Sequence, residues 1–446
     1  MESSGWAPNG GAHHRRSCTR MAPSATPSSP PNPRVLFLSQ YFWPEETTTS
    51  WLLSTLAFHL AEHGYRVSAI AGQPTYHRAP KTPWRLEHRG VRIERVWSTR
   101  LNKNSIPGRI LNTATFVLSV FFRLAMRRDF DVLISVTNPP LLNWVVRAVQ
   151  SFHRFPAILI IHDVYPDFVA AIGKMRKSGL LYRIWNALTD WSSRAGERVI
   201  VLGECMEQAM RRHLPPERWE RIRVIPNWDV ENPFRSIPRA EHPLIREWAL
   251  QDKFIVLYAG NIGLFHDIET IVAAADLLRD QPVHFVFIGA GGKLPLLQQS
   301  IAERRLANVS VLPFRKKEDM PLVLTACDAA LATLIKEATG LSVLSKVYGV
   351  LAAGRPVLAV LGAESETARM IRRRGCGIAV EPGDAEGLAA AILRLKNDTA
   401  EREAMGAAAL RAFEEEYNLQ AVGAKYMELI DEVWKGRLHR DSSRLV

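Results

Sequence analysis

The sequence predicts an α/β fold: two facing Rossmann-like domains with a cleft between them. Three observations carry this reading. Short apolar runs recur along the chain, each followed by a turn and then by apolar residues at helical spacing. That alternation marks strands buried in parallel sheets and joined by crossover helices. It occurs twice, in residues 34–228 and again in residues 243–420, and the stretch between them, Asp229 to His242, carries Pro233 and Pro238 with little periodicity, as a linker does.

The first domain opens with the short apolar strand Val35 to Ser39. The polar turn Gln40 to Thr47 follows, then a helix with Leu53, Leu56, Ala57 and Leu60 on one face, ended by Gly64. Tyr65 to Ala71 is the next strand. The loop after the first strand, with Glu45 and Glu46, therefore lies at a strand carboxyl end, where open α/β sheets bind ligands. Further strands are expected at Asp131–Val136, Ala157–Ile161, Arg198–Leu202 and Ile222–Ile225, with helices at Leu141–Phe152 and Leu180–Ala195. In the second domain strands are expected at Phe254–Ala259, Val283–Ile288, Val309–Leu312, Ala329–Leu334, Pro356–Val360 and Gly377–Val380. The segment from Asp384 is helical and breaks near Asn418. Residues 421–446 form a helix and tail that can pack back on the first domain.

The 446 residues suffice for roughly two or three domains with substantial cores. Residues 1–33 are rich in Ser, Pro, Gly and Ala, lack the apolar core of a secretion signal, and read as a disordered tail. The formal net charge of +12 calls for an anionic partner: an anionic membrane, nucleic acid or phosphorylated substrates. Nucleic acid has no recognition-helix, zinc-finger or RNA-binding signature to support it. Arg78 to Arg109 holds nine Lys or Arg against Glu87 and Glu94, interleaved with Trp84, Trp97 and Ile106. This suits either an anionic membrane surface or a solvated strand pair. No apolar stretch is long enough to span a bilayer; Ile110 to Phe122, about 13 residues between Arg109 and Arg123, suits a buried or interfacial helix. Cys18, Cys205, Cys327 and Cys376 are scattered without metal-ligand spacing and read as free thiols in a reducing compartment.

Four places carry candidate chemistry. The turn Gly260-Asn261-Ile262-Gly263 joins an apolar strand to a helix, so its backbone N–H groups can meet a phosphate, or it only connects the two. Ser345 and Lys346 open the helix bearing Val347, Val350 and Leu351. Ser345 can be its N-cap and Lys346 a solvated residue. A lysine in a first turn opposes the helix dipole, however, and that mismatch favours an anion site. With the glycine turn it would hold a diphosphate. His162-Asp163 ends a first-domain strand: His162 can bond a sugar hydroxyl or steer a leaving group, and Asp163 can be a base, a polar clamp or a turn cap. Gly289-Ala290-Gly291-Gly292 suits close approach to a base or ribose, or a tight bend, and Phe314-Arg315 lies at an equivalent strand end. Glu364-Ser365-Glu366 opens a helix, with capping as the default and sugar or ribose binding by Glu366 as the sharper alternative.

These pieces, with Gln40-Tyr41-Phe42-Trp43-Pro44-Glu45, Asp163-Val164-Tyr165-Pro166, Val224-Ile225-Pro226-Asn227-Trp228 and Ala353-Gly354-Arg355-Pro356-Val357, resemble in order and spacing the retaining family 4 glycosyltransferases of the GT-B fold. The likeness is greatest to the branch that builds capsular, colanic-acid and O-antigen polysaccharides with fucosyl or acetaminosugar units. The resemblance implies a nucleotide-sugar donor held by the second domain: Gly260, Asn261, Gly263, Ser345 and Lys346 at the diphosphate, Gly289 and Phe314 near the base or ribose, and Glu366 beside them. It implies a lipid-linked saccharide acceptor against the first domain near Glu45 and Glu46, with His162, Asp163 and Lys346 as the catalytic set. No cofactor or metal is implied, and the place of action is the cytoplasm, peripherally on the inner face of the plasma membrane. One departure is clear: the family's two glutamates, with seven residues between them, are here Leu341 and Gly349. A nucleotide-sugar 2-epimerase of the same fold and a silent binding protein are the alternatives.

Overall fold

The computed structural model describes residues 32–74, 82–101, 105–235, 237–313 and 315–442. Nearly all of the tail, part of the basic stretch, and Phe314 lie outside the described residues.

The first sheet contains β1 (Arg34–Ser39), β2 (Arg66–Ala71), β3 (Arg85–His88), β4 (Val91–Arg95), β5 (Val132–Val136), β6 (Ala157–Ile161), β7 (Arg198–Val201) and β8 (Ile222–Val224). Their order is β3-β4-β2-β1-β5-β6-β7-β8. Pairing is parallel throughout except where β3 runs antiparallel to β4. Its helices are α1 (Thr48–Glu62), α2 (Ile106–Ala125), α3 (Leu142–Gln150), α4 (Asp167–Ala171), α5 (Leu180–Ser193) and α6 (Glu204–Met210). The basic stretch thus contains a hairpin, with Arg85 and Arg123 both on Glu94, and Arg89 on Glu62.

The second sheet contains β9 (Phe254–Ala259), β10 (Val283–Ile288), β11 (Val309–Leu312), β12 (Ala329–Thr333), β13 (Val357–Val360) and β14 (Gly377–Val380), in the order β11-β10-β9-β12-β13-β14 and wholly parallel. Its helices are α7 (Pro243–Glu247), α8 (Ile268–Leu277), α9 (Leu294–Arg304), α10 (Met320–Thr325), α11 (Lys346–Ala352), α12 (Glu366–Arg374), α13 (Ala385–Asn397) and α14 (Thr399–Ala412). A last helix, α15 (Leu419–Ser442), returns to the first sheet, where Val422, Tyr426 and Ile430 are buried with residues of α1 and β1.

The burial explains the sequence pattern. β1, β5 and β6 are almost wholly buried because helices cover both faces. On one face lie α1 and α15. On the other lie α2, α3 and α6, and the apolar cluster beneath them continues without a break into α11 and α12 of the second domain. Helix starts are capped by short polar side chains: Thr47 accepts from Ser50, Ser105 from Gly108 and Asp267 from Thr270. The chain crosses between the sheets at two adjacent points, where Asp229 pairs with Asn418 and Asp229 N–H donates to Tyr417 O at 3.1 Å.

Candidate functional site

The site is built on the end of β9. This strand lies between β10 and β12, where the strand order reverses, and ligands of open α/β sheets bind at such points. Ala259 is in register with Ile288, so Gly260 and Gly289 leave neighbouring strands side by side. Gly260 N–H donates to Ile288 O at 2.8 Å and Ile262 N–H to Ala290 O at 2.9 Å. Gly260 has φ +126°, which favours glycine. A Cβ on Gly289 would lie 1.9 Å from the Gly260 oxygen, so that glycine lets the two turns close on each other. Asn261 is exposed at the tip, and Gly263 leaves room for its side-chain nitrogen.

α11 brings Lys346 over this turn. A Cβ on Gly260 would lie 3.7 Å from Lys346 Cε. The Lys346 ammonium donates to the Tyr258 hydroxyl at 2.7 Å and sits 3.9 Å from the centre of its ring. Tyr258 is fully buried at the end of β9, and its hydroxyl donates to Asn261 O at 2.7 Å. The same oxygen lies 2.9 Å from His266 Nδ1, which also accepts the Gly263 N–H at 3.0 Å. Burial, together with the charges of Lys346 and Lys293, pushes His266 down to about 2, so the ring is neutral and can accept. Burial likewise lowers Lys346 to about 7. Ser345 precedes α11 in helical backbone conformation, and its hydroxyl makes no capping hydrogen bond. Sequence reasoning missed Tyr258 and His266, which look like a core aromatic and a loop residue until their polar atoms are seen turned onto the turn.

The first domain meets this region through the segment after β6. Asp163 pairs with Ser342, and Val164 N–H donates to Leu341 O at 2.9 Å. The Asp163 carboxyl is bonded by the side chains of Ser342 and Tyr165, while burial raises its pKa. It is thus committed to an interdomain tie. His162 N–H donates to Thr137 Oγ1 at 3.0 Å, and its Nε2 is buried without a hydrogen-bond partner among the described residues. Burial lowers His162 to about 4, so it is neutral near pH 7.

Other sequence candidates fall differently. The cap of α12 comes from Ser365, which accepts from Ala368 N–H. Glu366 instead accepts the N–H of Glu204, in the first domain, at 2.8 Å. It lines a narrow interdomain pocket with Leu202, Pro226, Val343, Val347 and Tyr417. Glu45 is buried near Arg95, whose guanidinium is lowered to about 10 by burial against the opposing charge of Glu45. Glu46 is exposed. Arg315 is bonded to Glu247 at 2.7 Å. Leu341 is buried, and a Cβ on Gly349 would lie 3.0 Å from Asp229 Oδ2, so a carboxylate from the domain crossing approaches the place of the missing second glutamate. The chain contains one Asp-x-Asp triplet, Asp129-Phe130-Asp131. It precedes β5, at the sheet end opposite the site, with Asp131 bonded to Arg34 and Asp129 to Arg127.

The arrangement offers a cation over a tightly bonded glycine turn and a neutral imidazole on the first domain, which suits an anionic leaving group on one side and a hydroxyl-bearing group on the other. Comparison with known proteins identifies the two halves of the chain separately. The glycosyl transferases group 1 family matches residues 243–412, and a glycosyl transferase 4-like domain matches residues 50–228. WbjE of Pseudomonas aeruginosa, named as a glycosyltransferase, is 32% identical over 300 residues, covering 66% of this chain and 73% of its own. WcaI of Escherichia coli, named as a colanic acid biosynthesis glycosyl transferase, is 26% identical over 389 residues, covering 83% and 95%. Among solved structures, sucrose-phosphate synthase from Thermosynechococcus elongatus aligns with a TM-score of 0.73 at 18% identity, over 91% of this chain and all of that one. Anabaena HepE, solved in complex with UDP and glucose, aligns with a TM-score of 0.69 at 17% identity, over 90% and 100%.

Proposed function

This chain belongs to the group 1 glycosyl transferases, and from that premise we propose that it moves a sugar, with retention, from a nucleotide-sugar donor to a lipid-linked saccharide acceptor in cell-surface polysaccharide synthesis. The observation that carries the donor half is Lys346, held by Tyr258 over the Gly260 turn. As the bond to the donor sugar breaks, negative charge grows on the departing diphosphate. Lys346 stabilises that charge more than it stabilises the ground state. The acceptor hydroxyl attacks from the face that the diphosphate leaves, so no protein nucleophile is needed. His162, neutral at pH 7, would bond a donor hydroxyl. The Asp163–Ser342 tie holds the domains together, which limits water at the reacting carbon. The acceptor half is supported by the colanic acid role in the name of WcaI. A lipid-linked acceptor would bring the enzyme to the inner face of the plasma membrane.

The test is transfer from labelled UDP-, GDP- and dTDP-sugars to lipid-diphosphate-linked sugars, with the anomeric configuration of the product read by NMR. One donor should give a product that keeps its anomeric configuration. An inverted product would contradict retention, and conversion of a donor to its 2-epimer without acceptor would replace the proposal with an epimerase. The absence of the glutamate pair at Leu341 and Gly349 favours one second reading, a silent binding protein. That reading requires nucleotide binding with no turnover on any acceptor.

A further inference from the structure

α2 is apolar on two opposite faces. Phe116, Val120 and Leu124 point into the core, and each is fully buried. On the outer side Ile110, Leu118, Phe122 and Met126 recur every four or eight residues, and each is more than half exposed, at 64%, 57%, 57% and 70%. Leu111 and Ala114 continue the same exposed stripe. A helix in water carries charge on its outer face, whereas one that is apolar all round is covered by something. Among the described residues nothing covers this stripe. Nor does α2 cross a membrane, since no helix of the described residues is long and apolar enough to do so.

The charge around it identifies the cover. α2 packs on α3, and α3 on α5, in one helical layer. The three segments that make this layer, residues 105–128, 142–156 and 172–193, contain ten Lys or Arg and one acidic residue, Asp190. The whole chain has a net charge of +12, and these segments alone carry a net +9. Arg109 and Arg128 flank the α2 stripe, and neither has a carboxylate partner among the described residues. At the start of α5, Leu180, Leu181 and Ile184 are exposed beside Lys174, Arg176 and Arg183. Both helices begin at the carboxyl edge of the sheet, the edge that carries His162.

We propose that the outer face of this layer, centred on α2, docks on an anionic lipid surface. α2 lies in the headgroup plane with Leu118 and Phe122 inserted, and the basic side chains around it meet lipid phosphates. This deepens the transferase reading and rests on it for its purpose, because a lipid-linked acceptor would then reach the cleft from that surface. Its evidence is independent of donor and acceptor.

The experiment is sedimentation of the full chain with vesicles that contain no acceptor, either pure phosphatidylcholine or phosphatidylcholine with phosphatidylglycerol. The wild type should bind the anionic vesicles at least about tenfold more tightly than the neutral ones, and lose most of that binding as salt rises to about 0.5 M. L118E/F122E should lose at least about tenfold of the binding while its nucleotide affinity and melting profile stay unchanged. Wild-type binding that ignores lipid charge, or a variant that binds like wild type, overturns the proposal. A wild-type dimer in light scattering that the same variant dissociates would assign the face to a second copy instead. Failure of transfer to every lipid-linked acceptor would leave the vesicle result standing, so the two readings fail separately.

Discussion

The Lys346 ammonium donates to the Tyr258 hydroxyl at 2.7 Å and lies 3.9 Å from the centre of the same ring. One residue opens a helix and the other ends a strand, and the pair holds a cation against the Gly260 turn.

Lys346→Ala should therefore reduce transfer by about 10²–10³-fold, the range for loss of one donor to a developing charge. Its melting temperature should stay within about 3 °C of wild type, because a desolvated cation contributes little to folding. Tyr258→Phe keeps the ring but leaves Lys346, Asn261 O and His266 short of a partner. It should cost about 1–3 kcal/mol of stability in denaturant titration. A fully active Lys346→Ala enzyme would remove that residue from the mechanism.

Donor binding should take up a proton. In the free site Lys346 titrates at about 7. A bound diphosphate favours the ammonium and raises that value. Near pH 8 the free lysine is mostly neutral and the bound one charged, so uptake approaches one proton; near pH 6 both are charged and uptake vanishes. Calorimetry in buffers of different ionisation enthalpy measures this directly. Wild type and Lys346→Ala giving the same value at pH 8 would contradict it.

His213 should make stability fall on the alkaline side. Its Nδ1 lies 2.7 Å from Asp190 and its Nε2 3.4 Å from Asp167. Burial lowers its pKa, but hydrogen bonds and charges from the two carboxylates outweigh this, and the value ends above 6.5. A raised folded value stabilises below the unfolded value, and that contribution is lost as pH rises through the folded one. Asp167, held low by His213 and Lys177, has the opposite sense and loses its contribution in acid. The gap in melting temperature between wild type and His213→Gln should shrink from about pH 6 to about pH 9. A constant gap would show that the ring is not charged.

Two glycines with positive φ should respond differently to alanine. Gly375, at φ +62°, has no atom within 4 Å of a new Cβ, so Gly375→Ala should cost about 1–2 kcal/mol of backbone strain and leave donor binding intact. In Gly289→Ala the Cβ falls 1.9 Å from the Gly260 oxygen and must displace that turn. Nucleotide affinity, measured where both variants are folded, should fall only in Gly289→Ala.

The fold was legible because buried parallel strands leave unbroken apolar runs: β6, β9, β10, β11 and β14 occupy the same residues as those runs. α2 extends beyond its apolar run, to Ile106 and Ala125, because Ser105 caps it and Pro107 fits its first turn. Lys346 stands out in the sequence because a lysine opposes the dipole where it sits. Tyr258 does not, since a hydroxyl turned inward and a core aromatic look alike in a string of letters. The Asp163–Ser342 pairing and the reach of Glu366 to Glu204 join distant segments, and a local pattern carries no trace of them. Asp229 beside Gly349 is of the same kind: the carboxylate comes from another part of the chain.

The most direct test of the central claim is calorimetric binding of UDP, GDP and dTDP to wild type and to Lys346→Ala. The account predicts that one nucleotide binds the wild type clearly best and that the variant loses this binding. Binding of none of the three to the wild type, or equal binding to both proteins, would contradict a diphosphate held between Lys346 and the Gly260 turn.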